Sequence, residues 1–187
     1  MALIQHWQNK IDSHRALFNF VWFKAFWFVA IIYHQEAILL GLLVLYFATL
    51  SQLTTHLSHY LLFAIIGISI DYILYLQQIF VFDKPGFPLW LALLWLAFAT
   101  TIKAFLSFLQ TRLVLAALLG MCAGPISYYF AMQLNAVSFS QPLTYTLTIL
   151  AIAWAVLLPL LLVLNRLLST SAAKKKSYSL DKLSEEK

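Results

Sequence analysis

The stretch Leu61–Phe82, LLFAIIGISIDYILYLQQIFVF, decides the fold of this chain. It is long enough to cross a bilayer, for which a helix needs about 20 apolar residues, yet it carries Asp71 near its middle. A carboxylate at membrane depth costs at least ~2.5–3.5 kcal/mol, so it normally faces other helices and finds a partner there. The stretch therefore predicts a membrane-spanning helix inside a bundle, with Asp71 compensated by a neighbouring side chain.

The composition places the rest of the chain in lipid as well. Hydrophobic residues make up 63% and charged residues 10% of the 187 residues, against roughly 45–50% and about 25% in soluble domains. Apolar runs take up most of the chain and leave no room for a soluble catalytic domain. The net charge of +5 comes from basic residues at span ends and in the tail, which indicates membrane topology rather than nucleic-acid binding.

Six apolar runs predict an all-α fold, a polytopic transmembrane bundle of about six spans. The predicted spans are 17–33, 37–53, 61–82, 88–109, 113–132 and 143–168. Residues 1–16 are predicted to be an interfacial helix or a frayed amino end, because their apolar positions recur at helical spacing. Residues 169–187 are polar and basic and are predicted to be a disordered cytoplasmic tail.

The basic residues are unevenly divided between the two sides that six spans define. The side that holds both termini receives nine of the twelve Lys and Arg residues, and the other side receives only Lys84. Because basic residues concentrate in cytoplasmic connections, this asymmetry predicts that both termini are cytoplasmic. Trp and Tyr residues near the span ends are interpreted as interfacial belts.

The two remaining basic residues, Lys24 and Lys103, fall inside spans and are the candidate partners of Asp71. At 1.5 Å per residue they lie roughly 10 Å from the cytoplasmic ends of their spans, and Asp71 lies about 15 Å from the end of its own. The sequence therefore leaves open a buried ion pair between Asp71 and either lysine. The alternatives are a protonated carboxyl group and lysines that extend to the headgroups.

The third span carries one polar face. Four of its positions recur at spacings of four and three and so share one side of a helix. They are Gly67, Asp71, Tyr75 and Gln78. The face is interpreted either as the wall of an internal cavity or as a structural clasp between helices. The complementary polar positions on the other spans are Asn19, Lys24, Thr100 and Lys103.

The fifth span carries a motif for close helix packing. Gly120 and Gly124 form a small-xxx-small pair that lets two helices approach each other. Pro125 follows and leaves one carbonyl without its usual donor, so the helix is expected to bend there.

Signals for metals and cofactors are weak. His56 and His59 form an H-x-x-H pair that could bind a metal from one helical turn, but no Asp, Glu or Cys lies near them in sequence, so they are interpreted as loop or interfacial residues. The chain has no P-loop, no dinucleotide-binding glycine pattern, no H-E-x-x-H and no G-x-S-x-G. We therefore expect no metal and no cofactor, and ATP hydrolysis and metalloprotease chemistry are disfavoured.

Three segments share a pattern with a known family. They are NFVWFKAFWF at Asn19–Phe28, PLWLALLWLAFATT at Pro88–Thr101 and LGMCAGPISYY at Leu119–Tyr129. Together with Gly67 and Asp71 they resemble the domain of unknown function 2878 family, small polytopic proteins of the bacterial inner membrane. The resemblance covers about residues 17–139, and its most specific part is Gly-Pro-Ile-Ser-Tyr.

The chain departs from this resemblance at two polar positions. Lys24 stands where the family pattern is expected to hold Gln, and Lys103-Ala104 replaces a pair expected to be closer to Asn and His. The resemblance implies no established activity. The family's genes often neighbour those for photolyase-like and cyclopropane-fatty-acid-synthase-like proteins, which implies a part in membrane-lipid modification under light or oxidative stress.

Three functions remain open from the sequence. The first is an accessory, non-enzymatic membrane component of a lipid-modification or stress-response pathway, with the bilayer and other membrane proteins or lipid-modifying enzymes as partners. The second is a small permease or proton-linked carrier that uses Asp71 with Lys24 or Lys103. The third is an intramembrane enzyme, for which Asp71, Ser127 and Tyr128 are the conceivable polar participants.

Overall fold

The computed structural model describes residues 2–49 and 53–185, with side chains for residue 14 and for residues 16–48 and 57–170. Within these ranges the chain forms six α-helices, one short 3-10 helix and no strand, so the predicted all-α class is confirmed. The helices are α1 (Ala2–Tyr33), α2 (Glu36–Thr49), α3 (Leu53–Leu76), α4 (Leu89–Lys103), α5 (Leu113–Gln133) and α6 (Leu143–Glu185). The 3-10 helix is Leu106–Leu109.

Four of these helices contain segments long and apolar enough to cross a membrane. Over the described residues the segments are Ala16–Tyr33, Leu57–Leu76, Leu113–Gln133 and Leu143–Thr170. Two further apolar helices, Glu36–Ala48 and Leu89–Lys103, are shorter. Large apolar side chains on the outer helices are exposed, which is the surface expected of a protein that is solvated by lipid.

The shorter α4 forms the centre of the bundle. It packs against α1, α2, α3 and α6, and most of its side chains are buried. At 15 residues it is only about 23 Å long, less than the ~30 Å of hydrocarbon. Because protein rather than lipid surrounds it, the irregular backbone at its ends does not have to reach the headgroups.

The helix predicted over 88–109 ends earlier than expected, at Lys103. The hydroxyls of Thr100 and Thr101 donate to the Ala97 and Phe98 carbonyls at 2.7 and 2.6 Å. Such back-bonding competes with the helical ladder. The chain then continues through the 3-10 helix.

The third predicted span is also too long, because α3 ends at Leu76 and not at Phe82. Gln78 adopts a left-handed conformation with φ of 56°, and the Ile79 amide donates to the Leu74 carbonyl at 3.0 Å. This is the Schellman pattern that terminates a helix. Ile79 and Phe80 fold back into the core, so the apolar end of the run is a buried connection.

The connection after α5 follows the same geometry. Asn135 has φ of 56°, and the Ala136 amide donates to the Ala131 carbonyl at 2.9 Å. Val81 and Ser138 then exchange two backbone hydrogen bonds, at 2.8 and 2.9 Å. The α3–α4 and α5–α6 connections are thereby joined across one end of the bundle.

The described terminal segments are helical. Helix α1 begins at Ala2, so predicted segment 1–16 is continuous with the first span. Helix α6 runs to Glu185, where the sequence predicts a disordered tail over 169–187. Ala, Lys, Leu and Glu in this tail are strong helix formers, and extending an existing helix avoids the cost of a new nucleus. Residues 1, 50–52, 186 and 187 lie outside the described residues.

Candidate functional site

Asp71 lies on α3, buried in the interior with 1% of its surface exposed. Since α3 ends at Leu76, the carboxylate lies about 8 Å from that end at 1.5 Å per residue, rather than near the middle of a span. The Trp95 indole Nε1 donates to Oδ2 at 2.6 Å. The Tyr128 hydroxyl donates to Oδ1 at 2.5 Å. Asp71 thus ties α3 to α4 and α5 through two neutral donors.

The Trp95 ring occupies a gap that Gly67 leaves on α3, one helical turn before Asp71. A Cβ atom at Gly67 would lie 2.1 Å from Cε3 of Trp95. The other face of the ring stacks on Trp154 of α6, with centroids 5.4 Å apart and an interplanar angle of 16°. Trp154 in turn lies against Gly124, where a Cβ atom would be 2.2 Å from its Cγ. The two indoles are therefore stacked between the backbones of α3 and α5.

Gly120 lies on α5 one turn before Gly124, against the backbone of α6. A Cβ atom there would be 2.4 Å from the Trp154 carbonyl oxygen. Pro125 is buried within α5, which is continuous from Leu113 to Gln133.

A cavity of about 70 Å³ lies beside the indole stack. Its walls come from α1, α4, α5 and α6 and from the connections joined by Val81 and Ser138. The lining residues are Phe23, Trp27, Ile31, Phe82, Trp90, Leu91, Leu94, Trp95, Phe98, Ser127, Tyr128, Ala131, Val137 and Trp154. The described lining is thus mostly aromatic and aliphatic, and it contains no Asp, Glu, Lys, Arg or His. Asp71 lies behind the lining and holds two of its members.

One side-chain hydrogen bond joins the α1 and α5 walls of the cavity. The Trp27 indole Nε1 donates to Ser127 Oγ at 2.9 Å. Both residues line the cavity and both are partly exposed. The bond sets the orientation of the Trp27 ring and of the Ser127 oxygen at this wall.

Asn19 and Thr100 belong to a separate polar cluster near the carboxyl end of α4. Asn19 is 1% exposed, and its Nδ2 donates to Tyr46 Oη at 2.6 Å and to Thr100 Oγ1 at 3.1 Å. This cluster clasps α1, α2 and α4 together. It does not include Asp71.

Of the alternatives left open for Asp71, the described residues show no ion pair with Lys24 or Lys103, and the carboxylate is bound by Trp95 and Tyr128 instead. Lys103 ends α4, eight positions after Trp95 and hence about 12 Å along the axis from the level of Asp71. Lys24 is exposed on α1, with Nζ 5.8 Å from the centroid of Phe20. Neutral N–H and O–H donors satisfy the carboxylate in place of a cation.

The remaining two residues of the predicted polar face make no hydrogen bond to Asp71 within the described residues. The Tyr75 hydroxyl accepts a bond from the Gly86 amide at 3.3 Å. Tyr75 thereby fastens the turn before α4, where Gly86 has φ of 100°. Gln78 is exposed and lies beyond the helix.

A family comparison bears directly on these residues. The family model described as protein of unknown function (DUF2878) matches residues 16–160, which include Asp71, its two donors and every residue that lines the cavity. The chain belongs to this family. The predicted resemblance is therefore confirmed, and the match extends it to Trp154. No curated protein and no solved structure gave a significant match to the chain.

The tryptophans are the residues of this DUF2878 family member that the sequence interpretation missed. Trp90 and Trp95 are 8% and 4% exposed, so they are interior residues and not an interfacial belt. The sequence signal for a buried tryptophan was Gly67, one turn before Asp71. A glycine leaves room for a flat ring, and the carboxylate beside it can accept a bond from the indole N–H. For Tyr128 the sequence predicts only a conceivable catalytic role, and not its hydrogen bond to Asp71.

The H-x-x-H pair of this DUF2878 protein lies on α3, and only one of its two side chains is described. The side chain of His56 lies outside the described residues, and His59 is half-buried on α3. Among the described residues no group of three or more His, Cys, Asp or Glu side chains comes together. His34 follows α1 with φ of 50°, and its ring lies 5.2 Å from that of Trp90.

His34 is expected to make the stability of the DUF2878 protein depend on pH. Burial lowers the pKa of its imidazole from the usual 6.5, while Asp83 raises this pKa and Lys84 lowers it. The unfolded chain then binds more protons, so stability is full above about pH 6.5 and falls as the pH drops below it. Thermal unfolding at about pH 7.5 and about pH 5.5 should show a larger loss in the wild type than in His34→Gln. Equal losses in the two proteins would contradict this assignment.

Proposed function

We propose that this protein binds an alkyl chain of a membrane lipid in its aromatic cavity, as a non-catalytic accessory component of a membrane-lipid modification or stress-response pathway. The observation that carries this proposal is the cavity itself. It is concave, predominantly apolar and preformed, with a few placed polar groups, as ligand sites in proteins generally are. Its walls are held in place by the Asp71 hydrogen bonds and the stacked tryptophans.

The volume of the cavity limits what can enter. About 70 Å³ is roughly half of the ~150 Å³ of an apolar cavity that accommodates benzene. A slim alkyl segment fits such a space, whereas a whole lipid or a fused ring system does not. The rest of the ligand would therefore remain in the surrounding bilayer.

The position of the cavity favours a ligand that comes from the bilayer. Its α1 and α5 walls belong to helices whose other faces carry exposed apolar side chains such as Phe28, Ile126 and Phe130. Hydrocarbon chains surround such helices at high concentration in a membrane. A chain segment that enters between α1 and α5 would contact Trp27 and Ser127, the partly exposed lining residues of these two walls.

The arrangement of polar groups favours binding over catalysis. Both Asp71 oxygens accept hydrogen bonds, and Ser127 Oγ accepts a bond from Trp27. A serine nucleophile needs an adjacent general base, and the described cavity lining supplies none. Chemical change of the bound lipid is therefore assigned to a partner, a lipid-modifying enzyme in the same membrane.

We further propose six membrane crossings with both termini in the cytoplasm of a bacterium. The support is the excess of basic residues on the side of the termini, together with the burial of α4, which allows a short helix to count as a crossing. In this orientation the cavity lies in the outer half of the inner membrane, beneath the joined connections. Cysteine labelling at position 84 from outside intact cells would test the orientation.

Filling the cavity is expected to abolish binding. Ala131 on α5 lines the cavity and is 6% exposed, so Ala131→Leu places three more carbons in the space. In lipid nanodiscs, 1-bromotetradecane should quench tryptophan fluorescence saturably in the wild type, because bromine quenches an indole on contact. The variant should weaken this saturable component at least ~10-fold, equivalent to ~1.4 kcal/mol.

The matched control is Ala123→Leu, an exposed position on the same helix. It adds the same atoms on the lipid side and should retain wild-type quenching. If Ala131→Leu and the wild type showed the same saturable quenching, the cavity would not be the binding site.

A further inference from the structure

Three of the six side-chain polar hydrogens in the described lining of the cavity are already engaged. The Trp27 N–H is bound to Ser127, and the Trp95 N–H and Tyr128 O–H are bound to Asp71. Ser127 differs, because its oxygen accepts a bond while its own hydroxyl hydrogen has no acceptor among the described residues. A serine hydroxyl carries one donor as well as two acceptor lone pairs. Ser127 therefore offers a free donor at the cavity wall.

Two further side chains of the lining, Trp90 and Trp154, also carry a donor hydrogen that is not in use. The indole N–H groups of Trp90 and Trp154 make no hydrogen bond within the described part of the chain. The side-chain acceptors of the described lining are the hydroxyl oxygens of Ser127 and Tyr128, and both oxygens already take part in hydrogen bonds. The side chains of the cavity thus offer three unused donors against two acceptor oxygens, so a ligand that carries an acceptor oxygen is favoured over one that carries a donor.

The lining also determines the charge of the ligand. No basic side chain lines the described cavity, and an ion moved from water into such surroundings without a counter-ion loses several kcal/mol. A carboxylate or a phosphate is therefore excluded from the cavity. A ketone or ester carbonyl supplies an acceptor oxygen without a charge.

We propose that Ser127 selects a ligand whose alkyl chain carries an uncharged carbonyl oxygen, a long-chain ketone or ester, by donating its hydroxyl hydrogen to that oxygen. The inference rests on the proposed function, since it names the ligand class of the same cavity. The Trp27 bond fixes the Ser127 oxygen, so the hydroxyl hydrogen is directed to the remaining positions around it. The hydrocarbon part of the ligand packs on the aromatic walls.

The test uses two probes of similar shape, tetradecan-2-one and 2-methyltetradecane. The second carries a methyl group where the first carries its carbonyl oxygen. Each competes with 1-bromotetradecane for the full-length protein in nanodiscs, after correction for its partition into empty nanodiscs. We expect the wild type to bind the ketone at least about fivefold more tightly than the alkane, the ratio for one neutral hydrogen bond. Ser127→Ala should bind both probes with equal affinity.

Two further variants separate hydrogen bonding to the ligand from support of the fold. Ser127→Thr keeps the hydroxyl and should keep the preference for the ketone. Trp27→Phe removes the bond to Ser127 but leaves the hydroxyl, so the preference should persist there as well. The carbonyl stretching band of the bound ketone should also lie at lower frequency in the wild type than in Ser127→Ala.

The outcomes distinguish the two proposals. If both probes displace the reporter with equal affinity in the wild type, Ser127 does not select a carbonyl, and the binding of an alkyl chain still stands. If neither probe displaces the reporter and Ala131→Leu changes nothing, the proposed function itself is overturned. Loss of the ketone preference in Trp27→Phe would show that the Trp27–Ser127 bond, and not donation to the ligand, sets the preference.

Discussion

Replacement of Asp71 by alanine is expected to lower the free energy of unfolding by about 2–6 kcal/mol, because two buried donors lose their acceptor at ~1–3 kcal/mol each. The donors are the Trp95 indole and the Tyr128 hydroxyl. The Trp95 indole cannot turn to water, since its ring is 4% exposed and is packed between Gly67 and Trp154. Unfolding of the purified protein in detergent, followed by tryptophan fluorescence, measures the loss. The abundance of the variant in membranes should fall in parallel.

A double-mutant cycle isolates one of the two bonds. Tyr128→Phe should cost ~1–3 kcal/mol in the wild type and close to nothing in Asp71→Ala, where the hydroxyl already lacks its acceptor. Tyr72→Phe is the control, because Tyr72 is 45% exposed on the same helix as Asp71. A large effect of Lys103→Met together with a silent Tyr128→Phe would instead support the ion pair that a carrier mechanism requires.

Gly67→Ala is expected to destabilise the protein by about 1–3 kcal/mol or more, the range for overpacking a filled interior. The added methyl group would lie 2.1 Å from the Trp95 ring. The ring cannot move away easily, because Asp71 holds its N–H and Trp154 stacks on its other face. The displaced indole should also change the tryptophan emission spectrum. Thermal unfolding in detergent and the emission maximum are the two measurements.

Two other glycines make this prediction specific. Gly124→Ala presses on the stack from the opposite side, 2.2 Å from the Trp154 ring, and should have an effect of similar size. Gly41→Ala meets no atom within 4 Å and should stabilise α2 by about 0.5–1 kcal/mol, as alanine does in exposed helices. If Gly67→Ala and Gly41→Ala behaved alike, the packing of Trp95 on Gly67 would be wrong.

The sequence was sufficient for the fold class because the decisive property is compositional. Long apolar runs with few charges can satisfy their backbone in lipid only as helices. The ends of the helices were harder to predict. The segment Ile79–Phe82 is as apolar as a span, and only the left-handed turn at Gln78 shows that it leaves the helix. An apolar residue in a buried connection cannot be told from one in a span by composition.

The need of Asp71 for a partner was predictable, and the identity of the partner was not. Reasoning from charge points to Lys24 and Lys103, because a cation is the usual partner of a buried anion. A carboxylate can equally be satisfied by neutral N–H and O–H groups. Tyrosines and tryptophans occur throughout this chain, so the choice of Trp95 and Tyr128 depends on the packing of α3 against α4 and α5. The cavity depends on four helices together and has no signature in any one segment.

The indole stack has a consequence for biogenesis. Trp154 belongs to α6, which follows the other five helices in chain order, so Trp95 has no stacking partner while the earlier helices emerge from the ribosome. Until α6 is inserted, the short α4 also lacks one of the neighbours that shield it. The nascent protein therefore passes through a stage in which its central helix is incompletely covered.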